Sequence, residues 1–216
     1  EVNPKGMVYD GEFLKAGAPR CDVLYGDRAK ERLAFRRNNN IPYDAKVVMF
    51  APTFREGAKD GKRTVYSEIW SLDFDRLLNN LEKRFGGEWY LCIRVHPQLA
   101  NSYEKYQNEK LRGKVIDASK ADDMYEILAA MDAYITDYSS AAMDASLTHM
   151  PVFIYADDIE QYITDRGSLL WNLSEDTSKA VSNNKRMTPN LDLILPFSIA
   201  KNNEELEKNI LEFDID

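Results

Sequence analysis

Five short runs of apolar, β-favouring residues recur along the chain, and polar side chains follow each of them. The runs predict strands near 46–51, 88–95, 113–117, 132–136 and 151–155. They are apolar at successive rather than alternate positions, which is typical of strands buried on both faces of a parallel sheet. The pattern therefore predicts a sheet that is covered on both sides.

Amphipathic segments separate these runs. Segment 71–85 carries Leu and Phe at helical spacing and is followed by two glycines, so it predicts a helix that stops there. Further helices are predicted over 121–131, 139–148 and 202–214. Alternating strands and helices of this kind predict an α/β fold with a doubly wound, mostly parallel sheet.

The beginning of the chain does not follow this alternation. We expect an entry segment and linking helix over 1–45, and a nucleotide-binding α/β domain over 46–216. The basic stretch 28–37 is interpreted as a solvated helix face, and the polar stretch 174–190 as a loop. The opening residues "EVNPKG" are typical of a chain interior, so we expect a fragment of a longer protein.

Charge and cysteine content narrow the classes of function. The net charge is −8, which argues against a general nucleic-acid surface, so nucleic acid is not an expected partner. No apolar run approaches the roughly 20 residues of a membrane span. Cys21 and Cys92 are too few for a disulfide framework and fit a reducing cytoplasm. Cys92 lies within a predicted strand and is interpreted as a core residue.

Ligands of open α/β sheets bind beyond the carboxyl ends of the strands, so the residues that follow each strand are the candidates. Arg94 and His96 can donate to phosphate oxygens, and Ser139 and Ser140 place hydroxyls beside the first N–H groups of a predicted helix. The full candidate set at this edge is Thr53, Arg55, Arg94, His96, Asp137, Ser139, Ser140 and Asp158.

Simpler interpretations exist for several of these residues. Ser139 and Ser140 are also ordinary helix N-cap residues, and a histidine before a proline is often only a loop residue. Asp137 and the pair Asp157-Asp158 have oxygens that suit magnesium held through donor phosphates, but no spacing demands a metal. We therefore expect no metal and no cofactor. What favours a ligand site is the convergence of several such residues on one sheet edge.

The order of motifs resembles one protein family. The motifs are "FAPTFR" (50–55), "IRVHP" (93–97), "ITDYSS" (135–140) and "YADDIEQYITDRG" (155–167). In this order and spacing they resemble the CDP-glycerol glycerophosphotransferases, the teichoic-acid and capsule polymerases. The segment "GAPRCDVL" (17–24) resembles that family's Gly-x-Pro-Arg-Asn-Asp segment, with Cys21 where Asn is usual. The resemblance covers roughly residues 17–170.

The resemblance implies a GT-B architecture of two Rossmann-like domains, of which this chain would be the C-terminal, nucleotide-binding half. It implies that His96 contacts the donor pyrophosphate and supports catalysis, with Arg94 nearby. Ser139 and Ser140 would hold phosphate oxygens, and Asp158 would lie near the glycerol part of the donor. Thr53 and Arg55 would line the cleft, and Asp137 is a further candidate for substrate binding from its place at a strand end.

The implied reaction is the attack of an acceptor hydroxyl on the β-phosphorus of CDP-glycerol, which releases CMP and extends a phosphodiester-linked polymer. The family's second histidine belongs to the N-terminal half, so we expect this chain alone to be inactive. The implied partners are CDP-glycerol or a related CDP-alcohol, a lipid-linked polymer acceptor and the missing N-terminal domain. The implied location is the cytoplasm, at the inner face of the bacterial cell membrane.

Other functions stay open at this point. The sequence is equally compatible with CDP-ribitol, instead of CDP-glycerol, as the donor substrate. A nucleotide-sugar transferase of GT-B type is a further alternative, although many of these place a Glu in the helix after the fourth strand, where this chain has Asp144. A non-catalytic nucleotide-binding module is the alternative outside enzymes.

Overall fold

The computed structural model describes residues 17–53, 55–59, 62–66, 71–95, 111, 113–166 and 196–214. The strands are β1 Lys46–Phe50, β2 Arg55–Lys59, β3 Lys62–Tyr66, β4 Trp89–Ile93, β5 Val115–Asp117, β6 Ala133–Thr136, β7 Val152–Tyr155 and β8 Ile199–Ala200. The helices are a 3₁₀ helix at Pro19–Leu24, then α1 Ala29–Asn38, α2 Phe74–Phe85, α3 Met124–Ala129, α4 Ala141–Ser146, α5 Ile159–Arg166 and α6 Asn203–Leu211.

Within the described residues, six strands form one sheet in the order β5-β4-β1-β6-β7-β8, and every neighbouring pair is parallel. The chain winds outward from β1 to β5 and then returns to place β6 on the other side of β1. The winding direction therefore reverses between β1 and β6. In open α/β sheets this reversal creates the crevice in which ligands bind.

Two buried clusters cover the two faces of this sheet. Val47 and Met49 of β1 face a cluster that includes Leu128 of α3 and Ala145 of α4. The alternate residues of β1 face a second cluster, to which α2 contributes Leu81. Helices thus cover both faces, which confirms the predicted doubly wound α/β fold.

The five predicted strands agree with the structure to within one or two residues, but the strands β2, β3 and β8 were not predicted. Residues 55–59 and 62–66, for which no strand was predicted, pair as the antiparallel hairpin of β2 and β3. The sequence held a signal for it, because Asp60-Gly61 is a favoured two-residue hairpin connection. Strand β8 is only two residues long, Ile199–Ala200.

The interpretation of 28–37 as a solvated helix face is wrong for three of its four arginines, since only Arg37 is exposed. Arg36 is only 2% exposed, and its Nη2 lies 2.6 Å from Oδ2 of Asp132. Arg32 pairs with the same carboxylate, and Arg28 donates to the carbonyl oxygen of Ala129. The physical reason is that carbonyls and a carboxylate at the amino edge of the sheet require donors, which this helix supplies.

Residues 17–45 pack against the sheet domain. Cys21, Leu24, Ile41 and Ala45 from this segment are all buried in the same cluster as the α3 face of the sheet. The predicted polar loop over 174–190 lies outside the described residues.

Candidate functional site at the carboxyl edge of the sheet

Asp137 joins the ends of the two strands that flank the reversal point. Its Oδ1 accepts hydrogen bonds from the backbone N–H of Thr53 at 2.8 Å and from that of Tyr138 at 2.6 Å. The residue is 4% exposed. Asp137 therefore connects the segment after β1 to the turn after β6.

Arg55 lies between two carboxylates. Its Nε and Nη2 donate to Oδ2 and Oδ1 of Asp158 at 2.7 and 2.8 Å, a bidentate pair. Its Nη1 lies 2.9 Å from Oδ2 of Asp137 and donates to the carbonyl oxygen of Thr53. The guanidinium thus bridges the turn after β6 and the segment before α5.

Two tyrosine rings accompany this ion-pair cluster. The rings of Tyr138 and Tyr162 stack at 3.9 Å between centroids, and the guanidinium carbon of Arg55 lies 5.0 Å from each centroid. The hydroxyl of Tyr138 donates to Oδ1 of Asp158 at 2.7 Å. Since cations are attracted to ring faces, these contacts reinforce the bridge.

The two carboxylates have different acidities. Burial raises the pKa of Asp137 above its ordinary value, and Arg55 offsets this only in part. Burial also acts to raise the pKa of Asp158, but hydrogen bonds from Arg55 and Tyr138 outweigh it, so this pKa is lowered. Burial lowers the pKa of Arg55, yet its bonds to Asp158 and the charge of Asp137 raise it more. Arg55 is therefore a permanent cation.

The two serines of the turn differ in their contacts. Oγ of Ser139 accepts from the backbone N–H of Ala141 at 3.2 Å, so this serine caps the start of α4. Ser140 is exposed, and among the described residues its hydroxyl caps no backbone N–H of the helix. The capping interpretation holds for Ser139, whereas Ser140 directs no hydroxyl hydrogen bond to the helix.

One nitrogen of the Arg94 guanidinium forms hydrogen bonds within the protein. Its Nη1 donates to the carbonyl oxygens of Ala118 at 2.7 Å and Ala121 at 2.9 Å, and so holds the loop after β5. His96 lies outside the described residues, so its predicted role stays a prediction.

Sequence reasoning missed a second polar cluster at this edge, in the first turns of α3 and α4. Arg20 lies 3.1 Å from Oδ2 of Asp144 and donates to the hydroxyl of Tyr125 at 2.7 Å. Tyr125 in turn donates to Asp144, and burial together with this bond raises the pKa of Tyr125 to about 12. The signal was present in the motif "GAPRCDVL", which contains Arg20.

The remaining surface features lie away from these residues. Across the described ranges, no group of three or more His, Cys, Asp or Glu side chains could hold a metal ion. A groove of about 270 Å³ between α1 and α3 is lined by residues such as Phe35 and Ile127, and the candidate residues are not among those lining it. None of the helices in the described part of the chain has the length and apolar character needed to cross a bilayer.

Comparisons of the chain with known proteins agree on one family. The family model described as CDP-Glycerol:Poly(glycerophosphate) glycerophosphotransferase matches residues 7–212. A teichoic acid poly(glycerol phosphate) polymerase of Staphylococcus epidermidis is 32% identical over 76% of the chain and 22% of its own length. The polymerase of the same description from Bacillus subtilis is 29% identical over 75% of the chain and 21% of its own length. The teichoic acid ribitol-phosphate polymerase TarK of Staphylococcus aureus is 31% identical over 74% of the chain and 30% of its own length.

Solved structures agree with these relatives. A variant of the wall teichoic acid polymerase TagF superposes with a TM-score of 0.61 at 29% identity, over 93% of this chain and 43% of that one. A TagF structure soaked with CDPG gives a TM-score of 0.59 at 26% identity, over 92% of this chain and 40% of that one. The chain thus spans about a fifth of the two poly(glycerol phosphate) polymerases.

Proposed function

The chain belongs to the CDP-glycerol:poly(glycerophosphate) glycerophosphotransferase family, and from this premise we propose that it is the nucleotide-binding part of an enzyme that transfers glycerol phosphate from CDP-glycerol to a polymer hydroxyl. The observation that carries the proposal is the turn from Asp137 to Ser140 at the reversal point of the sheet. Two backbone N–H groups bond to Asp137 there, and a helix begins directly after the turn.

The chemistry requires donors for the charge of a pyrophosphate. An acceptor hydroxyl oxygen attacks the β-phosphorus, the bond from that phosphorus to the bridging oxygen breaks, and CMP leaves. A general base takes the hydroxyl proton, and hydrogen-bond donors stabilise the charge on the phosphate oxygens. We assign the donor role to Ser139, Ser140, Arg94 and His96, and we expect the base on the part of the enzyme that precedes this chain.

Surrounding charge supports this assignment. Asp137 and Asp158 would repel a pyrophosphate if their charges were unopposed. Arg55 contacts both carboxylates, so the negative charge beside the turn is partly compensated from within the protein. The repulsion that a phosphate group meets at the turn is weaker than it would be without Arg55.

A ribitol donor is the second candidate, because relatives of both kinds match this chain at similar identity. The two donors share the cytidine diphosphate and differ in the length of the alcohol. Asp158 is the residue that we expect beside this alcohol.

Calorimetry of the chain against CDP-glycerol, CDP-ribitol, a UDP-sugar and CMP tests the proposal. We expect a cytidine diphosphate alcohol to bind best. Replacing Ser139 and Ser140 together by Ala should weaken binding about tenfold or more, which corresponds to about 1.4 kcal/mol. Ser146→Ala is the matched control, because this exposed serine donates to the carbonyl of Met143 at the far end of α4. Absence of binding at millimolar ligand would overturn the proposal.

Transfer itself is tested separately. The chain mixed with CDP-glycerol and a glycerophosphate primer should release no CMP above background, whereas a longer protein that includes the family's preceding domain should release it. Turnover by this chain alone would contradict the assignment of the base. A lipid-linked acceptor and a position at the inner membrane face are parts of the same proposal, and cell fractionation of the full-length protein tests the latter.

A further inference from the structure

Arg55 is held by protein groups on every guanidinium nitrogen. Nε and Nη2 donate to Asp158, and Nη1 contacts both Asp137 and the carbonyl of Thr53. The side chain is 17% exposed. An arginine committed in this way is poorly placed to move toward a ligand.

The contacts of Arg55 come from the three strand ends that surround the reversal point. Thr53 follows β1, Asp137 follows β6 and Asp158 follows β7. Two carboxylates so close together repel each other unless a cation separates them. Arg55 lies between them, in the position that a metal ion takes in many phosphate-binding sites.

We propose that Arg55 is a positioning residue of the phosphate site, which fixes the turn after β6 through Asp137 and the start of α5 through Asp158 without contacting the phosphates itself. This inference rests on the proposed function. Asp137 transmits the effect, because the N–H groups of Thr53 and Tyr138 both bond to its Oδ1. Tyr138 provides a second connection between Arg55 and the turn, because its hydroxyl donates a hydrogen bond to Asp158.

A lysine cannot replace Arg55 in this role. The planar guanidinium presents donors in a rigid fork that matches a carboxylate bidentately, whereas an ammonium is a point charge on a flexible stem. Arg55→Lys therefore keeps the charge but loses the bridge between the two carboxylates. If Arg55 is a positioning residue, Arg55→Lys should weaken ligand binding as much as removal of the arginine side chain would.

Arg36→Lys is a matched control. Arg36 is also a buried arginine paired with an aspartate, Asp132, but it lies at the amino edge of the sheet. Oδ2 of Asp132 accepts from the backbone N–H of Val47 at 2.7 Å, as Asp137 does from Thr53. The two variants therefore remove equivalent bridges at opposite edges.

Amide hydrogen exchange by NMR and calorimetry test the proposal together. In Arg55→Lys we expect faster exchange at Thr53 and Tyr138, and affinity for CDP-glycerol about tenfold weaker or more, as expected when charge-assisted bonds lose their geometry. In Arg36→Lys we expect faster exchange at Val47 and unchanged affinity. Unchanged exchange at Thr53 and Tyr138 in Arg55→Lys would overturn the inference.

A double-mutant cycle separates positioning from direct contact. If Arg55 acts through the carboxylate of Asp137, combining Arg55→Lys with Asp137→Asn should weaken binding by less than the sum of the two single changes. Fully additive losses would mean that Arg55 acts on the ligand independently of Asp137, which overturns a positioning role. Should Arg55→Lys fail to fold, Tyr138→Phe removes only the hydroxyl bond to Asp158 and should give a smaller loss of the same kind, whereas unchanged affinity would refute the inference.

The exchange measurement needs no ligand. If the unaltered chain binds no cytidine nucleotide, the proposed function fails. Exchange at Thr53 and Tyr138 then still decides whether Arg55 fixes the turn.

Discussion

Asp137→Ala is the substitution whose effect on stability follows most directly from the structure. Asp137 is 4% exposed and accepts from two backbone N–H groups. It also lies 2.9 Å from the guanidinium of Arg55. Alanine removes all of these interactions at once, in a place that water does not reach freely.

The magnitude follows from the pairs that are broken. Removing one partner of a buried ion pair costs about 3–5 kcal/mol, and a buried N–H left without an acceptor costs about 1–3 kcal/mol. These costs do not add fully, since Arg55 keeps its bidentate bonds to Asp158. We expect the free energy of unfolding to fall by about 3–5 kcal/mol.

Asp137→Asn separates the charge from the hydrogen bonds. The amide oxygen can still accept from the N–H groups of Thr53 and Tyr138, so only the pairing with Arg55 is lost. Because burial raises the pKa of Asp137, part of the cost of its charge is removed as well. The expected loss is about 1.5–3 kcal/mol, that of one hydrogen bond to a charged group.

Urea denaturation followed by circular dichroism measures both effects, read from the midpoint at an unchanged m-value. Asp122→Ala is the control, because Asp122 is exposed and such surface changes usually stay within about 0.5 kcal/mol. A loss below about 1 kcal/mol for Asp137→Ala, or equal losses for the two variants, would refute the reasoning.

Three further predictions concern acidity, reactivity and rate. Because the pKa of Asp158 is lowered in the folded chain, its charged form contributes stability above about pH 4, and this contribution is lost as the pH falls through the lowered pKa. The free energy of unfolding, measured against pH, should therefore fall more steeply at acid pH in the unaltered chain than in Asp158→Asn. Burial raises the pKa of Cys92 to about 12, so a thiol reagent should label Cys92 only on unfolding, and rapid labelling of the native chain would contradict its core position. His96→Ala in the intact enzyme should lower turnover about 10²-fold or more with little change in melting temperature, and near-normal turnover would remove His96 from the mechanism.

Apolar runs predicted the sheet because burial on both faces leaves a direct trace in the sequence. Val47, Val48, Met49 and Phe50 are all at most 2% exposed, as the uninterrupted run requires. Strand order leaves no comparable trace, since any of these runs could lie beside any other. The family resemblance, rather than periodicity, is what pointed to a Rossmann-like arrangement.

The candidate site was predictable as a set of residues but not as a set of contacts. The rule that ligands bind at strand ends selected Arg55, Asp137 and Asp158. Their mutual pairing depends on β6 lying between β1 and β7, which local sequence does not encode. For the same reason, the two backbone N–H groups that donate to Oδ1 of Asp137 were not predicted, and its contact with substrate stays a prediction.

The basic stretch shows where composition misleads. Arg36 and its neighbours have the charge pattern of a solvated face, yet Arg36 is 2% exposed. Long arginine side chains can reach carbonyls and carboxylates at the end of a sheet, and a helix rich in them therefore does not have to face water. Distinguishing the two cases requires knowing that Asp132 lies within reach.

Both ends of the β1–β6 seam are held by an arginine that pairs with an aspartate of the segment flanking β6. Arg36 binds Asp132 before the strand, and Arg55 binds Asp137 after it. The strands pair here over only three residue positions, so side-chain bridges at both ends supplement a short ladder of backbone bonds. Only the second bridge lies at the carboxyl ends of these strands, where ligands of open α/β sheets bind, and a second carboxylate and two stacked tyrosines accompany it. Stability of the short strand pair explains a bridge at each end. The additional groups at the carboxyl end are what the proposed phosphate-binding turn would need in order to keep one geometry.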